Sequence, residues 1–303
     1  MSDSGRGVVA GVAAYVIWGL FPLYWPLLEP ASATEILAHR IFWSAVCMVV
    51  VVVALRRWRR LQPLVRDRRR LALLTVAAVV ITVNWGVYIW AANNGHVVDA
   101  SLGYFINPLF SVALGVFVLG ERLRPLQWIA VAIAVVAVVV LTVGVGRPPW
   151  IALLLAASFG TYGLAKKKAA AGAFESLTVE TLLLTPFALA YVVWLTSVGT
   201  ATFGTQGPGH AALLVLAGAV TAVPLVLFGA AATRMTLASL GLLQYLAPIL
   251  QFALGVWWLG EAMPTVRWVG FALVWVALVV FTTEALMHHR RRQLLLAAES
   301  SAA

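Results

Sequence analysis

Charged residues are scarce in this sequence of 303 residues. Only 11% are Asp, Glu, Lys or Arg, and only 11 residues are acidic. A soluble domain of average composition contains roughly 25% charged residues. Hydrophobic residues make up 62% of the chain, so it lacks the polar groups that would cover the surface of a water-soluble protein. The scarcity of charge argues against a soluble protein and predicts one that lies in a lipid bilayer.

Cysteine is almost absent, since Cys47 is the single one. This excludes an intrachain disulfide framework and a cysteine-based metal site, and we expect Cys47 to be a small buried hydrophobic residue. The sequence also lacks a phosphate-binding Gly-x4-Gly-Lys-Ser/Thr loop, a His-Glu-x-x-His zinc motif and a TVGYG-like ion filter. We therefore predict no enzymatic activity, no metal and no cofactor.

Long apolar runs are abundant instead. They are about 17 to 23 residues long, enough for a helix to cross roughly 30 Å of hydrocarbon. The short alternating segments of a membrane β-barrel do not occur. We interpret the first run as a retained helix, because it is longer than the apolar region of a signal peptide and contains Trp18 and Pro22. The sequence predicts ten spans, near residues 8–28, 35–55, 71–91, 101–119, 126–144, 149–165, 177–197, 211–231, 237–259 and 265–284.

The cations indicate how the chain is oriented. A net charge of +10 would suit a nucleic-acid partner, but the lysines and arginines are concentrated in short loops, where they set topology. With the N-terminus in the cytoplasm, eighteen of the 21 cations fall on the cytoplasmic side, against only Arg147 and Arg267 outside. We predict cytoplasmic N- and C-termini, a basic cytoplasmic tail over 288–303, and no nucleic-acid partner.

The sequence repeats itself after 140 residues. Segments 106–128 and 246–268 share a proline, an Ala-Leu-Gly-Val run, Leu-Gly-Glu and a tryptophan at the same spacing. The chain therefore divides into halves, 1–146 and 147–287, with five spans each. An odd number of spans makes the second half enter the membrane in the opposite direction. Inverted repeats are typical of secondary transporters that work by alternating access, with a substrate site between the halves.

Gly-Glu followed by Pro precedes the last span of each half. These residues are Gly120, Glu121 and Pro125 in the first half, and Gly260, Glu261 and Pro264 in the second. With this pattern the sequence resembles the drug/metabolite transporter superfamily, in its EamA branch. The resemblance implies an all-α protein of ten transmembrane helices in two five-helix repeats.

Further motifs make the chain similar to the RarD subgroup of that branch. They are Trp18-Gly19 with Pro22-Leu23-Tyr24, Glu35 to Ser44, Ser101 to Leu109, Ser158 to Gly163, Glu180-Thr181 with Pro186, Thr221 to Leu225, and Tyr245 to Pro248. The resemblance implies a permease of the bacterial cytoplasmic (inner) membrane and says little about its substrate. One departure is visible: the lysine expected after Pro-Leu-Tyr is replaced by Pro26, preceded by Trp25.

Arg40 is the first candidate site residue, because it is a cation about five residues inside a span. Such cations are rare and usually face a cavity or a partner. A guanidinium suits a carboxylate or a phosphate, so an anionic or zwitterionic substrate is expected. The alternative is a side chain that extends to the outer interface.

Three neighbours of Arg40 share one helix face at the spacing i, i+4, i+8, namely Glu35, His39 and Trp43. His39 is a candidate for proton coupling, with a structural hydrogen bond as the alternative. Glu35 lies at the helix start, where a carboxylate also complements the helix dipole. Glu180 opens the inverted counterpart of this span, either as a first-turn acid or as a pathway residue at the opposite end of the membrane.

Amide and aromatic side chains within spans complete the candidates, because amides in lipid need partners. Each either lines a cavity or packs helices together. They are Trp18, Asn84, Trp85, Tyr88, Tyr104, Asn107, Tyr162, Gln244 and Tyr245. For Glu121 and Glu261 we expect a structural role, in capping the helix that follows each of them.

The sequence thus predicts a multi-pass secondary transporter that exports small metabolites or drugs. A membrane sensor or scaffold that affects drug sensitivity without transport is the alternative. The expected partners are a small-molecule substrate and the lipid bilayer, and a homodimer is left open.

Overall fold

The protein is all helical over the residues described by its computed structural model, which are 3–120, 122–235 and 237–302. Side chains are described in these ranges except at 3, 4, 119, 173, 237, 238, 241 and 288–302. The helices are α1 (Asp3–Gly19), α2 (Phe21–Tyr24), α3 (Ala33–Ala54), α4 (Gln62–Arg66), α5 (Arg68–Asn93), α6 (Val97–Leu119), α7 (Pro125–Val145), α8 (Trp150–Ala169), α9 (Ala173–Ser197), α10 (Pro208–Ala232), α11 (Leu237–Leu243), α12 (Leu246–Ala253) and α13 (Thr265–Ala302). Two 3₁₀ turns, Trp25–Leu28 and Trp58–Arg60, and one π-helical turn, Leu254–Trp258, adjoin them.

Seven of these helices are long and apolar enough to cross a membrane, namely α3, α5, α6, α7, α9, α10 and α13. The bent pair Gly5–Gly19 and Phe21–Leu28 raises the number to eight when it is counted as one span. The chain is therefore a multi-pass membrane protein. Each of the ten predicted spans falls on helix, but α8 ends in Lys166–Lys168, and α11 and α12 are interrupted at Gln244–Tyr245, so ten crossings stay a prediction.

The first span is bent because of its prolines. α1 ends at Gly19, and the chain continues at an angle of 45° through α2 and the 3₁₀ turn. Pro22 and Pro26 lie at the starts of these two short elements, where the missing N–H of proline is tolerated. The bend directs Trp25 and Leu28, both 0% exposed, into the protein core.

α3 lies at the centre of the bundle, where it packs against α9, α10 and α5. α10 also packs on α1, α5 on α8 and α9, and α8 on α6. α12 bridges α1 and α6, and α13 lies along α7. A glycine permits the contact of α3 with α10, because a Cβ atom on Gly218 would lie 2.4 Å from the carbonyl carbon of Trp43.

Candidate substrate-binding site

Arg40 is buried in the centre of this bundle, with 3% of its surface exposed. Its Nε donates a hydrogen bond to Thr221 Oγ1 at 2.9 Å. The guanidinium carbon lies 4.1 Å from the centroid of the Trp85 ring, 4.9 Å from that of Trp25 and 5.6 Å from that of Phe21. The side chain therefore points into the core and does not extend to the outer interface. We call Arg40 with these four partners the Arg40 cage.

Four elements build the Arg40 cage. Around Arg40 of α3, α2 supplies Phe21, the 3₁₀ turn after it supplies Trp25, α5 supplies Trp85, and α10 supplies Thr221. The Thr221 hydroxyl donates to the carbonyl of Ala217 at 3.0 Å, which leaves its oxygen free to accept from Arg40. Each cation–π contact stabilises the charge by about 0.5–2 kcal/mol, which offsets part of the large cost of burying a cation.

Two tyrosines and an amide adjoin the cage. The Tyr88 ring lies 6.5 Å from the Phe21 ring and 5.7 Å from the Tyr104 ring. The Tyr104 hydroxyl donates to Asn84 Oδ1 at 3.2 Å. Asn84 Nδ2 donates to the carbonyl of Leu155 at 3.1 Å, and also to a serine hydroxyl of α8 at 3.0 Å. The structure thus brings five predicted residues together in one cluster, namely Arg40, Asn84, Trp85, Tyr88 and Tyr104, and Asn84 ties it to α8.

Several polar atoms of this cluster are buried and have no hydrogen-bond partner among the described residues. They are Arg40 Nη1, Trp25 Nε1 and the Tyr88 hydroxyl. Within the described part of the chain, no carboxylate lies within ion-pair distance of Arg40, and its ionisable neighbours are the phenols of Tyr24, Tyr88 and Tyr104. The cluster therefore offers hydrogen-bond donors and a positive charge that the described residues leave unused.

Glu35 and His39 lie on the same helix as Arg40 but contact different residues. Glu35 Oε1 accepts from the amide of Thr202 at 2.7 Å, from its hydroxyl at 2.9 Å, and from the amide of Phe203 at 3.3 Å. The His39 ring stacks on the Phe203 ring at 4.8 Å. Both side chains thus hold the loop that follows α9. Glu35 is therefore more than a first-turn acid, because it caps a distant segment.

Glu180 and Tyr162 form a second polar cluster. Glu180 lies in the first half of α9, towards the end opposite to the loop that Glu35 holds. The Tyr162 hydroxyl donates to Glu180 Oε2 at 3.0 Å and accepts from Lys166 Nζ at 2.7 Å. Lys166 Nζ also lies 3.5 Å from Glu180 Oε1. Glu180 is 0% exposed, so this carboxylate is buried together with a counter-charge.

Two predicted tryptophans lie elsewhere in the helix packing. The Trp18 ring contacts the rings of Tyr15 at 5.3 Å and Phe228 at 5.9 Å, which joins α1 to α10. Trp43 packs its backbone against Gly218, and its buried Nε1 has no hydrogen-bond partner among the described residues. Trp18 thus contributes to helix packing, and Trp43 to the contact of α3 with α10.

The remaining predicted residues belong to α6 and to the break between α11 and α12. Asn107 Oδ1, on α6, is buried without a hydrogen-bond partner in the described ranges. Gln244 and Tyr245 form the turn of the break, and the Tyr245 hydroxyl lies 3.5 Å from Thr282 Oγ1 of α13. None of these three residues is part of the Arg40 cage.

The outer ends of α6 and α13, named from the predicted orientation, are tied together by Glu261. Its carboxylate accepts from the amides of Val97 at 2.5 Å and Val98 at 3.0 Å. Burial raises the pKa of Glu261, and the two amides partly offset this rise. The prediction that Glu261 caps the following helix is wrong, because it caps the distant helix α6. Its counterpart Glu121 lies outside the described residues.

A cavity of about 370 Å³ opens beside Glu261. Its lining includes His96 and Arg267, and Arg267 Nη2 lies 3.5 Å from Asp99 Oδ1. Asp99 also contacts His96, whose Nδ1 lies 3.2 Å from Asp99 Oδ2. This network joins α6 to α13 at the same end of the bundle.

Four contributors to the central cluster were not among the predicted site residues. They are Phe21, Tyr24, Trp25 and Thr221. Each lies in or beside a motif that carries the family resemblance, but nothing in the sequence indicates that segments about 180 residues apart meet at Arg40.

Comparison with known proteins agrees with this architecture. The sequence profile of the EamA-like transporter family matches residues 5–143. A crystal structure that shares 19% sequence identity superposes with a TM-score of 0.58 over 93% of this chain and 98% of the other, and so has the same fold. The profile match, together with the relatives below, shows that the chain belongs to the EamA-like transporter family. It is a membrane transporter.

Several of the relatives are named RarD. Protein RarD of Streptomyces exfoliatus is 57% identical, over 94% of this chain and 90% of its own length. Protein RarD of Escherichia coli K12 is 44% identical, over 93% of this chain and 95% of its own length. An uncharacterized transporter of Bacillus subtilis, YojE, is 42% identical, over 93% of this chain and 95% of its own length. The similarity to RarD proteins agrees with the subgroup inferred from the sequence motifs.

Proposed function

We propose that this protein is a secondary transporter that exports small metabolites or drugs across the bacterial inner membrane by alternating access. One observation carries the proposal: a buried cation, Arg40, lies where helices of both halves meet and has no counter-charge among the described residues. A charge in such a place is expensive to maintain. It is explained best as part of a site that a passing solute completes.

The helix pairings support two inverted repeats, 1–146 and 147–287, followed by the tail 288–303. Under this division α1 corresponds to α8, α3 to α9, α5 to α10, α6 to α11 with α12, and α7 to α13. The pairing of α5 with α8 then has its counterpart in that of α10 with α1, and α6 with α8 in α12 with α1. Because the halves pack on each other in this reciprocal way, an exchange of their conformations would move access from one side to the other.

The proposed roles follow the three clusters. Arg40, Asn84, Tyr88 and Tyr104 bind the substrate, while the other spanning candidates line the route to it. Those other candidates are Trp18, Trp43, Asn107, Gln244 and Tyr245. Both termini are proposed to be cytoplasmic, because the loop that contains Arg57 and Arg60 is strongly basic.

The two polar clusters away from Arg40 are proposed to act at the ends of the route. Glu35 and His39 fix the loop over the outer end, and Glu180 with Tyr162 lies near the inner end. The buried Glu180–Lys166 pair is the candidate for ion coupling, since a change of protonation there would leave a charge unpaired. Glu180→Gln with unchanged flux and unchanged pH dependence would exclude this role.

The test is accumulation of metabolites and drugs in cells with and without the gene. Arg40→Ala is expressed at the same membrane level, and Arg59→Ala is the matched control, because Arg59 is exposed and stacks on Trp58. We expect one class of compound to accumulate less with the intact protein and with Arg59→Ala, but not with Arg40→Ala.

A broad panel of amino acids, anions and chloramphenicol-like drugs without any difference would contradict export. It would instead favour the sensor or scaffold function. An equal loss of flux and of membrane protein in Arg40→Ala would assign Arg40 a structural role.

A further inference from the structure

We propose that the Arg40 cage binds the carboxylate of an apolar monoanion and discriminates against zwitterions such as amino acids. This inference rests on the transport function proposed above and narrows the substrate class of that same site. It follows from three observations: the placement of acids, the polarity of the free hydrogen-bonding atoms, and the walls of the site.

Arg40 differs from three other partly buried cations among the described residues. Lys166 is paired with Glu180 at 3.5 Å, Arg124 with Glu284 at 2.7 Å, and Arg267 with Asp99 at 3.5 Å. Arg40 is more buried than any of these three arginine or lysine side chains, yet in the described ranges it has only a hydroxyl and aromatic rings as partners. With no counter-charge among the described residues, the neutralising charge is left to a ligand.

The acids that an ammonium group would need are engaged elsewhere. Four acids are buried among the described residues, namely Glu35, Glu175, Glu180 and Glu284. Glu35 accepts from the loop after α9, Glu175 faces Arg57 and Arg60 at 3.6 and 3.9 Å, and the other two are paired as above. None of the four is therefore available at the cage. An amino acid would bring its ammonium into a region whose nearest formal charge is positive.

The free polar atoms can donate hydrogen bonds, which is what a carboxylate needs from its site. Arg40 Nη1 and Trp25 Nε1 are buried, unpartnered in the described part of the chain, and can only donate. The Tyr88 hydroxyl is also unpartnered and can donate. A carboxylate only accepts, and it matches the planar edge of a guanidinium with two parallel hydrogen bonds. A hydroxyl or an ammonium ligand would leave one or more of these donors unsatisfied.

The walls of the site favour an apolar body. The rings of Phe21, Trp25 and Trp85 surround the guanidinium, and those of Tyr88 and Tyr104 continue the same surface. Aromatic faces bind apolar groups and also hold the cation while no ligand is present. The cage can therefore persist without its anion, which a transport cycle requires.

The experiment uses the full-length protein purified in detergent and three ligands that share a phenylethyl group. They are 3-phenylpropanoate, phenylalanine and 2-phenylethylamine, which present a carboxylate, both charges and an ammonium. Titration calorimetry is expected to give an affinity for 3-phenylpropanoate at least about tenfold higher than for phenylalanine, and no saturable binding of the amine. Octanoate, which carries the same carboxylate on an aliphatic chain, is also expected to bind.

Three variants assign the binding to the cage. Arg40→Gln should abolish binding of 3-phenylpropanoate, and Arg40→Lys should weaken it by about tenfold, because lysine has no planar fork. Trp25→Phe keeps a ring and removes one donor, so it should weaken binding several-fold even if the Arg40 variants do not fold. Arg59→Gln, which removes an exposed cation, should bind as the original chain does.

Equal or tighter binding of phenylalanine would overturn the inference, as would unchanged binding in folded Arg40→Gln. A lack of saturable binding by both 3-phenylpropanoate and octanoate would overturn it too. Cellular export of a zwitterion or a cation would contradict the inference and leave the transport proposal standing. Carboxylate binding without flux of any compound would contradict transport instead.

Discussion

Arg40 of α3 and Trp85 of α5 meet face on, with the guanidinium carbon 4.1 Å from the centroid of the indole ring. Trp85 is 8% exposed and Arg40 is 3% exposed, so water screens this contact little. The pair replaces the carboxylate partner that a buried arginine usually has. The contact ties the position of Arg40 in α3 to the neighbouring helix α5.

Trp85→Leu is expected to reduce transport more than Trp85→Phe does. Leucine removes the ring face and with it about 0.5–2 kcal/mol of cation–π attraction, whereas phenylalanine keeps a smaller one. The matched control is Trp90→Leu on the same helix, whose ring is 37% exposed and stacks on His96. Flux is measured at equal protein in the membrane, and equal effects of the two leucine variants would contradict the role of Trp85.

Lys166→Met is expected to lower the free energy of unfolding by about 3–5 kcal/mol, because it leaves the carboxylate of Glu180 buried without its counter-charge. The double variant with Glu180→Gln should recover most of this loss, since no charge then remains in the pair. Thermal unfolding of the single and double variants in detergent gives the coupling between the two sites. Additive losses would show that the two side chains do not act as a pair.

Glu35→Ala is expected to destabilise the loop after α9. It removes the acceptor of two amides and one hydroxyl of Thr202 and Phe203, and each buried donor left unsatisfied costs about 1–3 kcal/mol. Glu35→Gln keeps the accepting oxygen and should have a smaller effect. Hydrogen exchange of residues 198–207 is the measurement, and exchange that stays unchanged in Glu35→Ala would contradict the capping role.

Gly218→Ala is expected to separate α10 from α3, because the new Cβ would lie 2.4 Å from the carbonyl carbon of Trp43. Overpacking of this kind costs about 1–3 kcal/mol. Gly163→Ala on α8 is the matched control, since apart from its chain neighbours and the adjoining backbone of α8 no heavy atom lies within 4 Å of its Cβ position, and alanine favours a helix by about 0.5–1 kcal/mol. Unfolding temperatures that move in the same direction for both variants would contradict this account.

The sequence predicted the helices well because apolar length and proline act locally. All ten expected spans fall on helix, and the bend of the first span follows from Pro22 and Pro26. The family was also correctly identified from Gly-Glu-Pro and the other motifs. What stays a prediction is the number of crossings, since α8 and the broken α11–α12 segment are less apolar or shorter than an ordinary span.

The candidate site was predicted less completely, because its contacts join distant segments. Arg40 was identified as a charge inside a span, which is a local signal. Its partner Thr221 is 181 residues away, and no period or spacing connects the two. Glu35 and Glu261 show the same limit. Their helix-end positions suggested local roles, with Glu35 complementing the dipole of its own helix and Glu261 capping the next one, whereas each accepts hydrogen bonds from backbone more than 160 residues away.

The missing counter-charge of Arg40 also has an electrical consequence. Because no described carboxylate neutralises it, the net charge of the occupied site is set by the cargo, and a monoanion makes it zero. Under the proposed export, each monoanion carried outward would remove one negative charge from the cytoplasm. A potential of 100 mV, negative inside, favours that movement by about 2.3 kcal/mol per charge. Uniport of such a cargo would be electrogenic, so the voltage across the cell membrane would drive the flow outward even without a concentration gradient.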